Sequence, residues 1–264
     1  MKTYFVTYGD NNFRISKKHL INLAKQSGFF NDSFSFGPKD LSSEFIKKYS
    51  EILNNKRGGG YWIWKHEIIL NVLKNVNEGD IVIYCDAGAS ININASKRFY
   101  EYIEILKSSK HFNLRMETEK QFLEKFYTIK NIFEYFHINL DSEIANSTQL
   151  QAGHMFFEKS KESIDYFLEF KKVLDHDPNY ITDIYNHEQE LEGFVENRHD
   201  QSIFSILSKY IGSEIIPNET EFRMNKSEQY KFPFLSVRVY GHGLKDKFKY
   251  YILRDKKYKD TIYF

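Results

Sequence analysis

Apolar residues alternate with polar ones in short runs at the start of the chain and then recur at helical spacing. Thr3 to Thr7 is predicted as a first strand, closed by Tyr8-Gly9-Asp10. Lys18 to Gln26 reads as a helix with Leu20, Leu23 and Ala24 on one face. Asp32 to Phe36 reads as a second strand, stopped by Gly37-Pro38. Phe45, Tyr49 and Leu53 place a helix over 42–53. Ile69, Val72, Leu73 and Val76 fall at i, i+3, i+4 and i+7, an amphipathic helix that ends at Asn77-Glu-Gly-Asp80. The apolar run Ile81–Cys85 follows as a short buried strand.

Asn94 is the expected N-cap of the next helix, with Phe99, Tyr102, Ile103 and Leu106 on its inner face. Helical pieces are expected to continue to about Phe136. Leu150 to Glu158 reads as a strand, Ser163 to Leu174 as a helix and 175–198 as a long polar loop. Asp200 opens a helix with Ile203, Ile206, Leu207 and Tyr210 on one face, and Glu214–Ile216 is a last short strand. Strand and helix alternate in the first half as in βαβ units. No repeat, low-complexity tract or Gly/Ser linker interrupts the chain. The simplest reading is one α/β domain over 1–264 with a mixed sheet, its halves being 1–110 and 111–264.

Composition adds exclusions. A length of 264 residues suffices for a sizeable core. A net charge of +1 gives no argument for nucleic acid as a partner. The lone Cys85 rules out an intramolecular disulfide framework and fits a reducing, cytoplasmic setting. Its place in an apolar strand reads as a small buried hydrophobe. No leader-like or membrane-spanning apolar stretch is expected. The Lys245–Lys259 tract mixes cations with aromatics and reads as a solvated face or a weak peripheral contact to anionic lipid or polymer.

Two segments carry the chemistry. Arg57-Gly58-Gly59-Gly60-Tyr61-Trp62-Ile63-Trp64-Lys65 puts three glycines, which free the backbone for close approach to a ligand, beside two cations and the only two tryptophans. Backbone amides with Arg57 and Lys65 would suit a diphosphate. The alternative is a flexible turn with both tryptophans in the core. The second segment runs Ile81 to Gly88, where Asp86-Ala87-Gly88 ends a buried strand. Ligands of open α/β sheets bind beyond the carboxyl ends of strands, so Asp86 is a candidate metal- or phosphate-handling acid. Its alternative is a turn cap.

Together these segments resemble the GT-A nucleotide-sugar glycosyltransferases, small bacterial and large-virus members above all. Those carry a Gly-Tyr-Trp-x-Trp-Lys segment and a strand ending Asp-Ala-Gly. The resemblance implies a GT-A-like, Rossmann-like mixed sheet flanked by helices. It also implies transfer of a hexose or pentose from a nucleotide diphosphate, UDP-linked by preference, to a glycan or lipid-linked glycan, as in polysaccharide biosynthesis. On the donor side it places Tyr8, Gly9, Asp10, Arg57, Gly59, Gly60, Tyr61, Trp62, Lys65, Asp86, Ala87 and Gly88. Tyr8 would stack on the base.

The segment 197–202, Asn-Arg-His-Asp-Gln-Ser, resembles the family's Asp-Gln-Ser segment and makes Asp200 catalytic with Asp86. Asp200 would hold sugar hydroxyls or act as general base; it is equally a good N-cap. Gln151, Gly153, His154, His199 and Gln201 would line the acceptor side, although Gly153 also suits a bulge in an ordinary strand. Mn²⁺ or Mg²⁺ would sit on Asp86 with the late His242 of Gly241-His242-Gly243, which otherwise reads as an exposed turn. The family's Asp-x-Asp lacks its second acid here, where Gly88 stands. Two alternatives remain: a sugar-1-phosphate nucleotidyltransferase, for which the loop 9–14 has only one glycine, and an inactive glycan- or nucleotide-binding module.

Overall fold

The computed structural model describes residues 1–221 and 228–236. Eight strands occur among them: β1 (Thr3–Tyr8), β2 (Asp32–Phe36), β3 (Ile81–Cys85), β4 (Ser90–Ile91), β5 (Asn113–Met116), β6 (His154–Glu158), β7 (Glu214–Ile216) and β8 (Phe234–Leu235). The five longest helices are α1 (Arg14–Ser27), α2 (Trp64–Asn75), α3 (Ser96–Ser108), α4 (Lys161–His176) and α5 (Asp200–Ile211). A six-stranded sheet has the order β2-β1-β3-β6-β5-β7, and β4 pairs with β8 in a separate ribbon. β1 runs parallel to β2 and β3, while β6 is antiparallel to β3 and β5. The carboxyl ends of β1, β3 and β5 therefore meet the start of β6 at one edge.

Alternation along β3 decides what packs on each face. Val82 and Tyr84 join a core with Ile69 and Leu73 of α2, Phe170 of α4 and Phe204 of α5. Ile81, Ile83 and Cys85 face the other way, toward Leu20 and Leu23 of α1 and Phe99 and Tyr102 of α3. All five β3 side chains are fully buried, each large one worth about 2 kcal/mol of transfer free energy. Cys85 is a buried free thiol, as its strand position requires, and burial pushes its pKa well up.

Several expected boundaries move. The helix expected over 42–53 breaks at Tyr49 into Ser43–Lys48 and Ser50–Leu53. Ala95, not Asn94, holds the N-cap position of α3, and the Asn94 amide instead bonds Asn92 Oδ1. β5 interrupts the stretch read as helical, because full burial on both faces makes its Asn-Leu-Arg-Met run non-alternating. Arg115 stays buried there by donating to Tyr166 Oη, Ser208 Oγ and Gln151 O. β6 begins at His154, and Leu150 only bridges to Glu117. His242 and the Lys245–Lys259 tract lie outside the described residues. Among the described residues no helix is long and apolar enough to cross a membrane.

Candidate active site

A cavity of about 660 Å³ opens at the edge where β1, β3 and β5 end and β6 begins. Its wall includes Asp86 after β3, Lys65 in the first turn of α2 and Asp200 at the start of α5. Lys65 is 2% exposed. Its ammonium lies 2.6 Å from Asp200 Oδ2 and 3.2 Å from Asp86 Oδ1, and it donates to Ala152 O at 3.0 Å. The Ala152 contact has hydrogen-bond geometry, and the two acids are ion-paired to the ammonium. The Tyr84 hydroxyl donates to Asp86 Oδ1 at 2.7 Å. The other oxygen, Oδ2, faces Gly153, where a Cβ would come within 3.2 Å of it. The Asp86 amide donates to Gly153 O at 2.9 Å, so the strand pair continues one residue past β3 to fix the acid.

The two acids differ in setting. The Asp86 side chain is 41% exposed and the Asp200 side chain 6%. Burial pushes the Asp200 carboxyl up to about 6, against the opposing pull of Lys65, while Asp86 nearby pushes it further up. Burial alone would depress the Lys65 pKa, but Asp200 and Asp86 more than offset it, so the ammonium holds its proton more tightly than usual. Asp200 is the first helical residue of α5. His199 occupies the N-cap position, without a side-chain cap, so the expected capping by Asp200 is not what holds it.

The glycine run has a structural cause. Gly58, Gly59, Gly60, Tyr61 and Trp62 have φ values of +59, +59, +97, +53 and +58. They form a left-handed turn in which Tyr61 N bonds Arg57 O at 2.7 Å and Trp62 N bonds Gly58 O at 3.3 Å. L residues pay about 1–2 kcal/mol each for this conformation, which glycine avoids. A Cβ on Gly58 would strike the Trp62 ring at 2.4 Å, and one on Gly60 would meet Leu53 Cα at 2.8 Å. Arg57 ties the turn down through Asp183 at 3.0 and 3.1 Å and Glu196 at 3.5 Å.

The two tryptophans separate. Trp64 is buried, stacks on Tyr8 at 3.8 Å and donates to Gly58 O. Tyr8, 5% exposed, lays one face of its ring on Trp64 and also lines the cavity. Trp62 is half-buried on the cavity wall and packs near the His199 ring, 5.5 Å between centroids. His199 is itself held at φ +57, and its Nδ1 lies 3.0 Å from Ile181 O. Burial and Arg57 lower its pKa.

Nearly all the residues singled out by sequence line this one cavity: Tyr8, Gly9, Asp10, Arg57, Gly59, Trp62, Lys65, Asp86, Ala87, Gly88, Gln151, Gly153, His154, His199, Asp200 and Gln201. Gly60 and Tyr61 are buried behind it and are absent from its wall. Asp10 closes the turn before α1, accepting from Asn12 N at 2.8 Å and Phe13 N at 3.3 Å. Gln201 and Gln151 use their amides internally, on Gln149 and on Glu117 O and Thr220. Thr118, Phe122, Glu196, Glu221 and Ser236 also line the cavity and escape the sequence reading, as does Arg198 of the 197–202 segment, to which no role is given there. Arg198 lies 3.8 Å over the Phe122 ring. Thr118 and Phe122 follow β5, so the strand-end rule would have found them had β5 been recognised.

The described residues do not make a divalent-metal site by themselves. Among them no three His, Cys, Asp or Glu side chains converge. The carboxylate that would be a ligand, Asp86, already holds Lys65 and Tyr84, and position 88 is glycine.

No protein-family model matches the sequence, and no curated protein sequence does. Among solved structures the chain is similar to a glycosyltransferase involved in the glycosylation of the major capsid of PBCV-1. The TM-score is 0.53 at 9% identity, over 96% of this chain and 100% of that one. Mouse xyloside xylosyltransferase 1 in its apo form gives 0.46 at 10% identity, over 92% and 98% of the two chains. The galactosyltransferase LgtC in complex with donor and acceptor sugar analogs gives 0.43 at 11%, over 98% and 83%. The first of these similarities, with the mixed sheet and its flanking helices, identifies the fold as the GT-A-like α/β fold.

Proposed function

We propose that this protein is a glycosyltransferase that moves a sugar from a nucleotide diphosphate, UDP-linked by preference, to a hydroxyl of a glycan or lipid-linked glycan. The observation that carries this reading is the Asp86–Lys65–Asp200 cluster at the strand edge of a GT-A-like fold. Two acids bridged by one buried ammonium are held in fixed geometry with no reorganisation left to pay, which is the condition for electrostatic catalysis. The donor diphosphate would lie across the ends of β1 and β3, at Gly9 and Ala87–Gly88. Lys56, Arg57 and Arg198 also stand on the wall, the two arginines paired with Glu196. Lys65, buried and ion-paired to both acids, acts in this reading by orienting them and not by gripping phosphate.

Asp86, with one oxygen toward the cavity, would receive a hydroxyl of the transferred sugar. Asp200 would accept a hydrogen bond or a proton from a sugar hydroxyl. Its raised pKa suits a base working near neutrality better than an ordinary carboxylate would.

The test is release of nucleoside diphosphate from a panel of UDP-, GDP- and dTDP-sugars, with and without Mn²⁺, alongside calorimetric binding. Turnover or binding of one donor is expected. A wild-type protein that neither binds nor hydrolyses any member overturns the reading.

A further inference from the structure

His154 is the first residue of β6 and pairs across the sheet with Cys85. It is 1% exposed and lines the cavity. Among the described residues neither of its ring nitrogens has a hydrogen-bond partner. Strand alternation turns it to the face opposite Gly153, the face of its pairing partner Cys85 and of Phe156. Phe234 of β8 stands behind it, 6.2 Å between ring centroids.

Burial lowers the His154 pKa to about 4, against the opposing effect of Asp86. The ring is therefore neutral at ordinary pH, with one N–H and one lone pair. Leaving either unpaired in the interior costs stability. The next two positions of the strand are Met155 and Phe156, and an apolar side chain at 154 would avoid that cost. The imidazole brings the fold no internal bond in return.

We propose that His154 is a substrate-binding residue whose two nitrogens take hydroxyl groups of a nucleotide-sugar donor, on the ribose or on the transferred sugar. A neutral donor–acceptor pair suits hydroxyls, each of which both gives and receives a hydrogen bond. A phosphate could satisfy only the N–H, and it would face the charge of Asp86 nearby. The proposal rests on the glycosyltransferase reading and adds to it a contact on the far face of the sheet from Lys65.

The experiment is long-range ¹⁵N–¹H spectroscopy of the histidine rings in the whole protein, with UDP, UDP-glucose, UDP-galactose, GDP, GDP-mannose and methyl α-glucoside as separate additions. Calorimetry on wild type, His154→Leu and His154→Gln accompanies it. His154 nitrogens are expected to shift on donor binding. A shift with the bare nucleotide assigns the ribose, and a shift with the sugar nucleotide alone assigns the transferred sugar. His154→Leu is expected to bind about fivefold to tenfold more weakly with an undiminished melting temperature, and His154→Gln to recover most of the loss. Unmoved nitrogens in a protein that binds donor, or equal donor affinity in His154→Leu, overturn the proposal and leave the glycosyltransferase reading standing. A shift with methyl α-glucoside alone overturns the donor assignment. If no nucleotide binds wild type, the donor reading falls, and this proposal with it.

Discussion

The ammonium of Lys65 lies 2.6 Å from Asp200 Oδ2 although the two residues are 135 positions apart and both side chains are almost wholly buried. A buried ion pair is weak evidence of stability, because desolvation offsets much of the attraction. Its cost is easier to understand when it serves a site. Lys65 also reaches Asp86, the exposed acid, so one cation fixes the separation and orientation of two carboxylates from different elements.

Lys65→Met should therefore do two kinds of damage. It removes the charge that compensates Asp200 in the interior, a loss of about 3 kcal/mol or more. It also frees Asp86 from one of its two restraints on Oδ1. Urea denaturation is expected to show the first effect and donor turnover the second. A variant as stable and as active as wild type would show that the bridge has neither role.

Asp86→Ala should separate chemistry from folding. The side chain is 41% exposed and sits past the end of β3, so its loss opens no core cavity. The melting curve is expected to stay close to wild type, while transfer or hydrolysis falls on the order of 10²-fold or more. Normal turnover in the folded variant would remove Asp86 from the site.

The glycine turn predicts an order. Gly59→Ala meets only ordinary van der Waals contacts, the nearest at 3.8 Å, and should cost the left-handed strain alone, about 1–2 kcal/mol. Gly58→Ala adds a clash with a side chain, the Trp62 ring, which can shift. Gly60→Ala adds a clash with backbone, Leu53 Cα at 2.8 Å and Ile52 O at 3.1 Å, which cannot shift alone. Chemical denaturation should rank destabilisation as Gly59 least and Gly60 most. Equal effects at all three would mean that the turn is not held as described.

How far the site was legible follows from the same residues. Ile81–Cys85 and its acid were plain because an apolar run, a carboxylate and a glycine stand in sequence order. The glycine run was visible, but its cause was not: loop amides for a ligand and a left-handed turn leave the same three letters. Tyr8 on Trp64 is a tertiary stack between residues 56 positions apart, invisible to local pattern. Lys65 is singled out by sequence as a phosphate group; its partners come from three distant segments, and only the fold shows it buried between two acids. β5 was missed because its buried Arg115 breaks the apolar pattern, and Thr118 and Phe122 were lost with it.

Nucleotide binding gives a test that needs no acceptor. A ligand that binds the folded state alone raises the melting temperature, by a free energy of about 2.7 kcal/mol at 100 times its Kd. UDP or a UDP-sugar is expected to do so. His154→Leu should reduce the shift, and Asp200→Asn should leave it. No shift with any nucleotide diphosphate would favour a glycan-binding module.

Asp200 makes the sharpest forecast, because rate and stability should respond to pH in opposite senses. The carboxyl is raised from 3.8 to about 6 by burial, with Asp86 adding to the shift and Lys65 opposing it; Arg115 is a further charge within its field. In the folded state it keeps its proton over a range where the unfolded chain has lost it. A group with a raised folded pKa stabilises the protein below its unfolded value and loses that contribution as pH rises toward the folded one. Asp200 should thus contribute falling stability between about pH 4 and 6. A base needs the ionised form, so turnover should rise over the approach to pH 6 and level off above it. Asp200→Asn removes both trends while keeping size and shape. Compared with wild type, its stability should lose the downward slope in that window, and its turnover should fall on the order of 10²-fold or more with the acid limb gone. A variant that retains near-normal transfer, or a wild type whose stability shows no excess fall over the variant's between pH 4 and 6, would return Asp200 to a purely structural role.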